Sequence, residues 1–288
     1  MLSQNFQIAL STCEDWEVRQ ELATIKNLCD DAQENLANDE DSDVLETLAK
    51  NSTISVNTQV LLAENTDLNS KTMLILAKSR YSEVLSALLD NEMLDEDIII
   101  ELSKNPHIDE DMQLTLAEND DENVLEALFS NSAISIDTKV ALAANENLNE
   151  SIQKKLAKSD NLEILTALAN NDEMYEDAAI KLAENYHIDE DIQMILAEYD
   201  SWDVAKALVN NSNVETSVLI NIAEQDYLDE DIQMLFAKHK DCDVRLALAA
   251  NEYICYEAQE ILLADEDEDV IEALINNSNF DTDLLETE

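Results

Sequence analysis

The stretch DENVLEALFSNSAISIDTKVALAANENLNESIQKKLAKSD, residues 121–160, decides the fold. Its apolar residues recur at i, i+3 and i+4 rather than in alternation, the spacing of amphipathic helices. Three helices are predicted, Asn123 to Ser130, Asp137 to Ala144 and Glu150 to Lys158, anchored on Leu128, Leu142 and Leu156. Alanines stand beside these leucines, where helices must approach closely. No strand pattern interrupts them.

The stretch repeats with a period of 40. One aliphatic column runs Val44, Val84, Val124, Ile164, Val204 and Val244, and a second, four residues on, runs Leu48, Leu88, Leu128, Leu168, Leu208 and Leu248. Three residues past each leucine comes an asparagine: Asn51, Asn91, Asn131, Asn171, Asn211 and Asn251. A second asparagine set, Asn65, Asn105, Asn145 and Asn185, closes the middle helix of the blocks. Fixed self-similarity at this length marks a stacked-repeat architecture. The predicted fold class is therefore all-α, an elongated α-solenoid of 40-residue three-helix repeats. At the ends the spacing shortens, Val18 to Val44 and Val244 to Val270 both being 26 residues. Shortened two-helix terminal units would close the hydrophobic faces that a solenoid leaves open. This divides one continuous domain into an N-terminal capping repeat (1–40), five full repeats (41–240) and a shortened C-terminal repeat with an acidic cap (241–288). Residues 41–80 resemble 121–160, and 81–120 resemble 161–200, so an 80-residue unit of duplication is also written in the chain.

Composition narrows the function. The chain has 66 Asp and Glu against 16 Lys and Arg, a net charge of −50, and 45% apolar residues, too many for disorder. Glycine is absent where about 20 would be usual, and proline occurs once. Glycine-dependent phosphate loops, dinucleotide fingerprints and EF-hand loops are excluded with it. Asparagine, the other residue that tolerates a left-handed backbone, is expected to replace glycine at helix C-termini, in preference to forming hydrogen-bonded ladders along the array. Such acidity opposes direct binding of nucleic acid or anionic membrane. No positive charge precedes Arg19, and no apolar run approaches a membrane span, so a cytoplasmic protein is expected. Cys13, Cys29, Cys242 and Cys255 have no metal-type spacing and are expected as buried free thiols.

The run Phe236-Ala237-Lys238-His239-Lys240-Asp241-Cys242-Asp243-Val244-Arg245-Leu246-Ala247-Leu248-Ala249-Ala250-Asn251 resembles the variant leucine-rich repeat. Units of that family read Leu-Ala, a short acidic loop, Val-Arg, then Ala-Leu-Ala and Asn. The resemblance implies an all-helical array akin to armadillo and HEAT repeats, and it leaves function open, since such solenoids carry many activities. Most blocks here lack the Val-Arg pair, and Pro106 is the single proline after an Asn. The cysteine cluster of an iron–sulfur family member has no counterpart, so no cluster and no other cofactor is expected.

Catalytic constellations are absent from the pattern. His107 and His187 are repeat-equivalent loop residues, no nucleophile elbow exists without glycine, and paired carboxylates are too common to discriminate. The chain is expected not to be an enzyme. Its distinctive feature is a set of acidic runs: Asp95-Glu96-Asp97, Asp109-Glu110-Asp111, Asp189-Glu190-Asp191, Asp229-Glu230-Asp231 and Asp265-Glu266-Asp267-Glu268-Asp269. Helix capping and the macrodipole account for one or two acids at each helix start, not for the excess. Blocks differ too: the five full ones carry −1, −11, −3, −10 and −4. Salt adaptation would spread acids evenly, and calcium needs a defined loop. Presentation of negative charge remains. Six layers of about 10 Å span roughly 60 Å, over which duplex DNA carries about 35 charges. The acidic runs are thus predicted to bind a basic protein surface, in particular that of a nucleic-acid-binding enzyme held in an inhibited, anti-restriction or anti-defence complex. The alternative is a general scaffold or adaptor holding a peptide in a concave groove.

Overall fold

The computed structural model describes residues 2–286. Among these there are 21 α-helices and a closing 3-10 helix, Thr282–Glu286, with no strand. The chain forms two compact units, Met1–Asn149 and Glu150–Glu288. The first holds α1 (Gln4–Ser11), α2 (Trp16–Ala23), α3 (Asp30–Ala37), α4 (Ser42–Ala49), α5 (Val56–Glu64), α6 (Ser70–Leu76), α7 (Ser82–Leu89), α8 (Glu96–Ser103), α9 (Glu110–Ala117), α10 (Glu122–Ser130) and α11 (Ile136–Ala144). The second holds α12 (Glu150–Leu156), α13 (Leu162–Ala169), α14 (Glu176–Ala183), α15 (Glu190–Ala197), α16 (Trp202–Val209), α17 (Thr216–Ala223), α18 (Glu230–Phe236), α19 (Cys242–Ala250), α20 (Tyr256–Leu262) and α21 (Glu268–Ile275). The helices predicted from the quoted stretch are therefore present to within a residue or two.

Helices of 7–9 residues make about two turns, too short to persist alone in water. They are held by stacking, and each helix packs on its second neighbour. In the first unit α2, α4, α6, α8 and α10 form one stack, while α1, α3, α5 and α7, and α9 with α11, form the other. In the second unit α13, α15, α17, α19 and α21 form one stack, and α12, α14 and α16, and α18 with α20, the other. Each unit is thus an α-solenoid whose layer contains two helices, where three-helix layers were expected. The sequence repeat is still three helices long: α4, α5, α6 and α7 begin at 42, 56, 70 and 82, steps of 14, 14 and 12 that complete the period. One repeat advances one and a half solenoid turns, so equivalent helices of successive repeats fall on opposite stacks. Two repeats restore the stack, which accounts for the 80-residue resemblance. The 26-residue spacings at both ends are single whole turns.

The core is the leucine–alanine column. Leu48, Leu62, Leu88, Leu128, Leu142 and Leu168 are completely buried, as are Ala23, Ala37, Ala63, Ala77 and Ala143. These alanines end helices where the next layer's loop crosses, and a larger side chain would force the layers apart.

That crossing corrects the expectation for asparagine. Asn65, Asn131, Asn145 and Asn251 have φ between −76° and −68° and ψ between 115° and 127°, extended rather than left-handed. Their side chains form the ladder. Asn51 Nδ2 donates to the carbonyls of Ala23 and Ile25 in the preceding turn, both at 2.8 Å, and its Oδ1 accepts from Thr53 N–H at 3.1 Å. Asn91, Asn105, Asn131, Asn211, Asn251 and Asn277 repeat the arrangement on residues 28 and 26 positions back. Helix geometry leaves terminal carbonyls without intrahelical donors, and the ladder supplies donors from the next turn. Because the backbone there is extended, no glycine is needed.

A second, unforeseen ladder runs through buried glutamines. Gln33, Gln113, Gln153, Gln193 and Gln233 accept from the N–H of the N-cap residue of the second helix onward: Ser55, Ser135, Tyr175, Glu215 and Cys255, at 2.6–2.9 Å. Both ends of the helices are therefore fixed layer to layer.

Candidate functional site

The acidic runs begin at helix N-termini. Asp95, Asp109 and Asp189 each accept the N–H three residues on, from Ile98, Met112 and Ile192 at 3.1 Å, and Asp229 accepts from Asp231 at 3.0 Å. The acids that follow, Glu96, Asp97, Glu110, Asp111, Glu190, Asp191, Glu230 and Asp231, are all exposed. Some touch a neighbour: Ser217 donates to Glu190 at 2.6 Å, and Lys206 to Asp231 at 2.8 Å, which holds Asp231 below the usual carboxylate range. Within the first unit, 95–97 and 109–111 start α8 and α9, which belong to different stacks. Within the second, 189–191 and 265–269 share a stack, and 229–231 lies on the other. In the first unit this is the alternation of consecutive helices, and in the second it is the half-turn advance per repeat between α15, α18 and α21.

The C-terminal run splits by role. Asp265 receives a two-point contact from Arg245, Nε at 2.7 Å and Nη2 at 3.0 Å, while Arg245 Nη1 reaches the His239 carbonyl at 2.8 Å. The Asp265 side chain is 6% exposed. Burial opposes its ionisation, yet the arginine and the backbone N–H groups of Asp267 and Glu266 outweigh it and keep the carboxyl low. Asp265 is thus an internal counter-ion, Asp267 caps α21 at 3.0 Å, and Glu266, Glu268 and Asp269 are exposed. The same clasp joins Arg19 to Asp39 in the first unit. These are the two Val-Arg positions of the resemblance.

Between α8 and α10 lies a groove of about 520 Å³, lined by Ile100 and Ala127 together with Glu96, Asp97, Glu126 and Lys104. Asp121, the N-cap of α10, stays below the usual carboxylate range: desolvation acts the other way, but the N–H groups of Val124 and Asn123 prevail. Asp241, Cys242 and Asp243 also bring possible ligand atoms within 4.8 Å of one another. There Asp241 is already engaged, by Asp243 N–H at 3.1 Å and Thr216 Oγ1 at 3.0 Å. The cysteines differ from expectation: Cys242 is exposed and Cys13, Cys29 and Cys255 are half-buried, all as free thiols. Their N-cap or near-terminal positions keep them at the helix ends, away from the leucine core. His107 and His187 are exposed loop residues.

Two exposed aromatics carry no local sequence signal. Tyr227, 72% exposed, lies against Tyr253 with ring centroids 4.2 Å apart and planes at 39°. Tyr227 and Asn27 are the described residues with positive φ, 55° and 58°. Each stands two places after a position where the asparagine ladder is broken, by Gln225 and by Ile25. The intact ladder holds residue i+2 through Asn Oδ1, and without that acceptor the loop turns left-handed. Gln225 retains only its bond to the Ala197 carbonyl, at 2.8 Å. The breaks in an otherwise regular asparagine column were the available signal.

The fold and surface define an acidic helical-repeat solenoid. No family model and no curated protein matches the chain. Among solved structures it is similar to an engineered protein, at 15% identity over 96% of this chain and 99% of that one, with a TM-score of 0.16. It is also similar to computationally designed armadillo repeat proteins for modular peptide recognition, at 14% identity over 95% and 97% with a TM-score of 0.14. A designed armadillo repeat protein in complex with the peptide (KR)4 follows at 12%, 95% and 97%, with a TM-score of 0.13. No helix among the described residues is long and apolar enough to cross a membrane.

Proposed function

We propose that this protein is a non-enzymatic binding solenoid that presents carboxylates to a basic protein surface, and that it competes with nucleic acid for a nucleic-acid-binding protein. The carrying observation is the exposed acid surplus after the N-caps are satisfied. With 66 acids and 16 bases, most carboxylates lack an internal cation, so their counter-charge comes from outside. The density suits the role. The first unit has 31 acids against 8 bases and the second 35 against 8, net −23 and −27. Each unit has about five layers, roughly 45 Å at 8–10 Å per layer, and duplex DNA of that length carries about 26 charges. Clustered charge of this kind chiefly accelerates encounter with a partner of opposite sign.

The test replaces Glu110, Asp111, Glu190, Asp191, Glu230 and Asp231 by Gln or Asn and keeps the Asp109, Asp189 and Asp229 caps. The helical circular dichroism should persist, while association with a basic partner captured from host lysate slows steeply. Duplex DNA should displace that partner from the parent protein. A partner that binds this protein and DNA together, or binds the six-site variant equally well at about 0.1 M salt, refutes mimicry. The groove over Ile100 and Ala127 favours the second reading in that event, an adaptor holding a peptide between α8 and α10.

A further inference from the structure

We infer that the stacked Tyr227–Tyr253 pair is a docking point for an arginine side chain on the basic partner. This rests on the basic-partner reading and adds to it a specific anchor. An exposed ring normally offers a surface without direction. Here three features converge on one kind of ligand. The outer ring, Tyr227, is the most exposed large apolar side chain described, and it is backed by a second ring rather than by solvent. The pair lies in negative potential: the adjoining Tyr227 hydroxyl, with Asp226 and Glu252, pushes the Tyr253 phenol up from its ordinary value. The loop also holds Tyr227 at φ 55°, a conformation unfavourable for a bulky residue, whereas the residues at the same place after an intact ladder asparagine sit in turns without positive φ.

A planar guanidinium answers the first two, and the third fixes the ring that it meets. It stacks on an aromatic face, its charge is drawn to the π-surface, and its N–H groups can reach flanking carboxylates. An anionic ligand would be repelled by Asp226, Glu252 and the wider −27 of the unit, and a neutral one would gain nothing from them.

The experiment uses the full chain and a tetra-arginine peptide as the probe, with affinity measured by calorimetry at about 0.1 M NaCl and the tyrosine rings followed by NMR after selective labelling. The Tyr227→Gly/Tyr253→Ala variant keeps the net charge, and glycine accepts the positive φ. It should bind about two- to fivefold more weakly, the range of an exposed cation–π contact. The Tyr227→Phe/Tyr253→Phe variant should bind like the parent, and the Tyr227 and Tyr253 ring signals of the parent should shift on titration. Equal affinity for the Gly/Ala variant, or unmoved ring signals, overturns the anchor and leaves the charge-based reading standing. Failure of the parent protein to bind the peptide overturns both.

Discussion

Replacing Asn131 by alanine tests whether the asparagine ladder, rather than helix capping, fixes the layers. Asn131 is 5% exposed; its Nδ2 donates to the carbonyls of Ser103 at 3.0 Å and Asn105 at 2.9 Å, and its Oδ1 accepts from Ala133 N–H at 3.0 Å. Each bond contributes about 1 kcal/mol net, and leaving buried carbonyls at the end of α8 without donors adds about 1–2 kcal/mol. The variant should lose about 4–5 kcal/mol in urea unfolding followed by far-UV circular dichroism, and the Ala133 amide should exchange faster. Asn147→Ala, an exposed position with a single side-chain contact to Asp120 at 3.2 Å, is the control and should lose no more than about 0.5 kcal/mol. A loss below about 1 kcal/mol at Asn131 would refute the ladder as the source of cohesion.

Gln225→Asn should restore the missing acceptor for Tyr227 N–H, return the loop to the hydrogen-bonded turn of the other junctions and raise unfolding free energy by about 1 kcal/mol, with loss of positive φ visible in backbone chemical shifts. Asp265→Asn should cost about 3 kcal/mol in urea titration, since it leaves the Arg245 charge without its counter-ion. Asp265 is held low in the folded state, so its contribution is complete above the unfolded value near 3.8 and fades as pH falls through the still lower folded value; acid titration of the parent and the Asn variant should converge there. The melting temperature of the parent should rise between about 0.01 and 0.15 M NaCl, as the Debye length falls from about 30 to 8 Å, and an indifferent melting point would mean the carboxylates do not repel.

The helices were legible because apolar spacing is a local property: Leu128, Leu142 and Leu156 with their neighbours specify three helices without reference to anything distant. The stacking order was not, because a sequence repeat records which residues resemble one another and not which pack together. The 26-residue interval from Val18 to Val44 is one helix shorter than the sequence repeat and equals one two-helix turn of the stack, and nothing local says which of the two lengths governs packing. The role of asparagine is ambiguous in sequence for a related reason. A left-handed cap and an inter-turn amide both satisfy terminal carbonyls, and a column of Asn is compatible with either. Of the acidic runs, the caps at Asp109 and Asp189 followed from position, whereas the pairing of Asp265 with Arg245 required a contact across 20 residues that no local pattern contains.

The mismatch between a three-helix repeat and a two-helix layer gives this chain a parity. Gain or loss of one 40-residue segment within a unit would transpose every later residue of that unit to the opposite stack, exchanging which side chains share a column with which. Gain or loss of 26 residues, or of 80, would leave the columns aligned. Length variants of this architecture should therefore survive selection in even helix numbers wherever a surface feature such as the Tyr227–Tyr253 pair spans adjacent layers, and a designer wishing to move such a feature to the other side needs only to delete three helices below it.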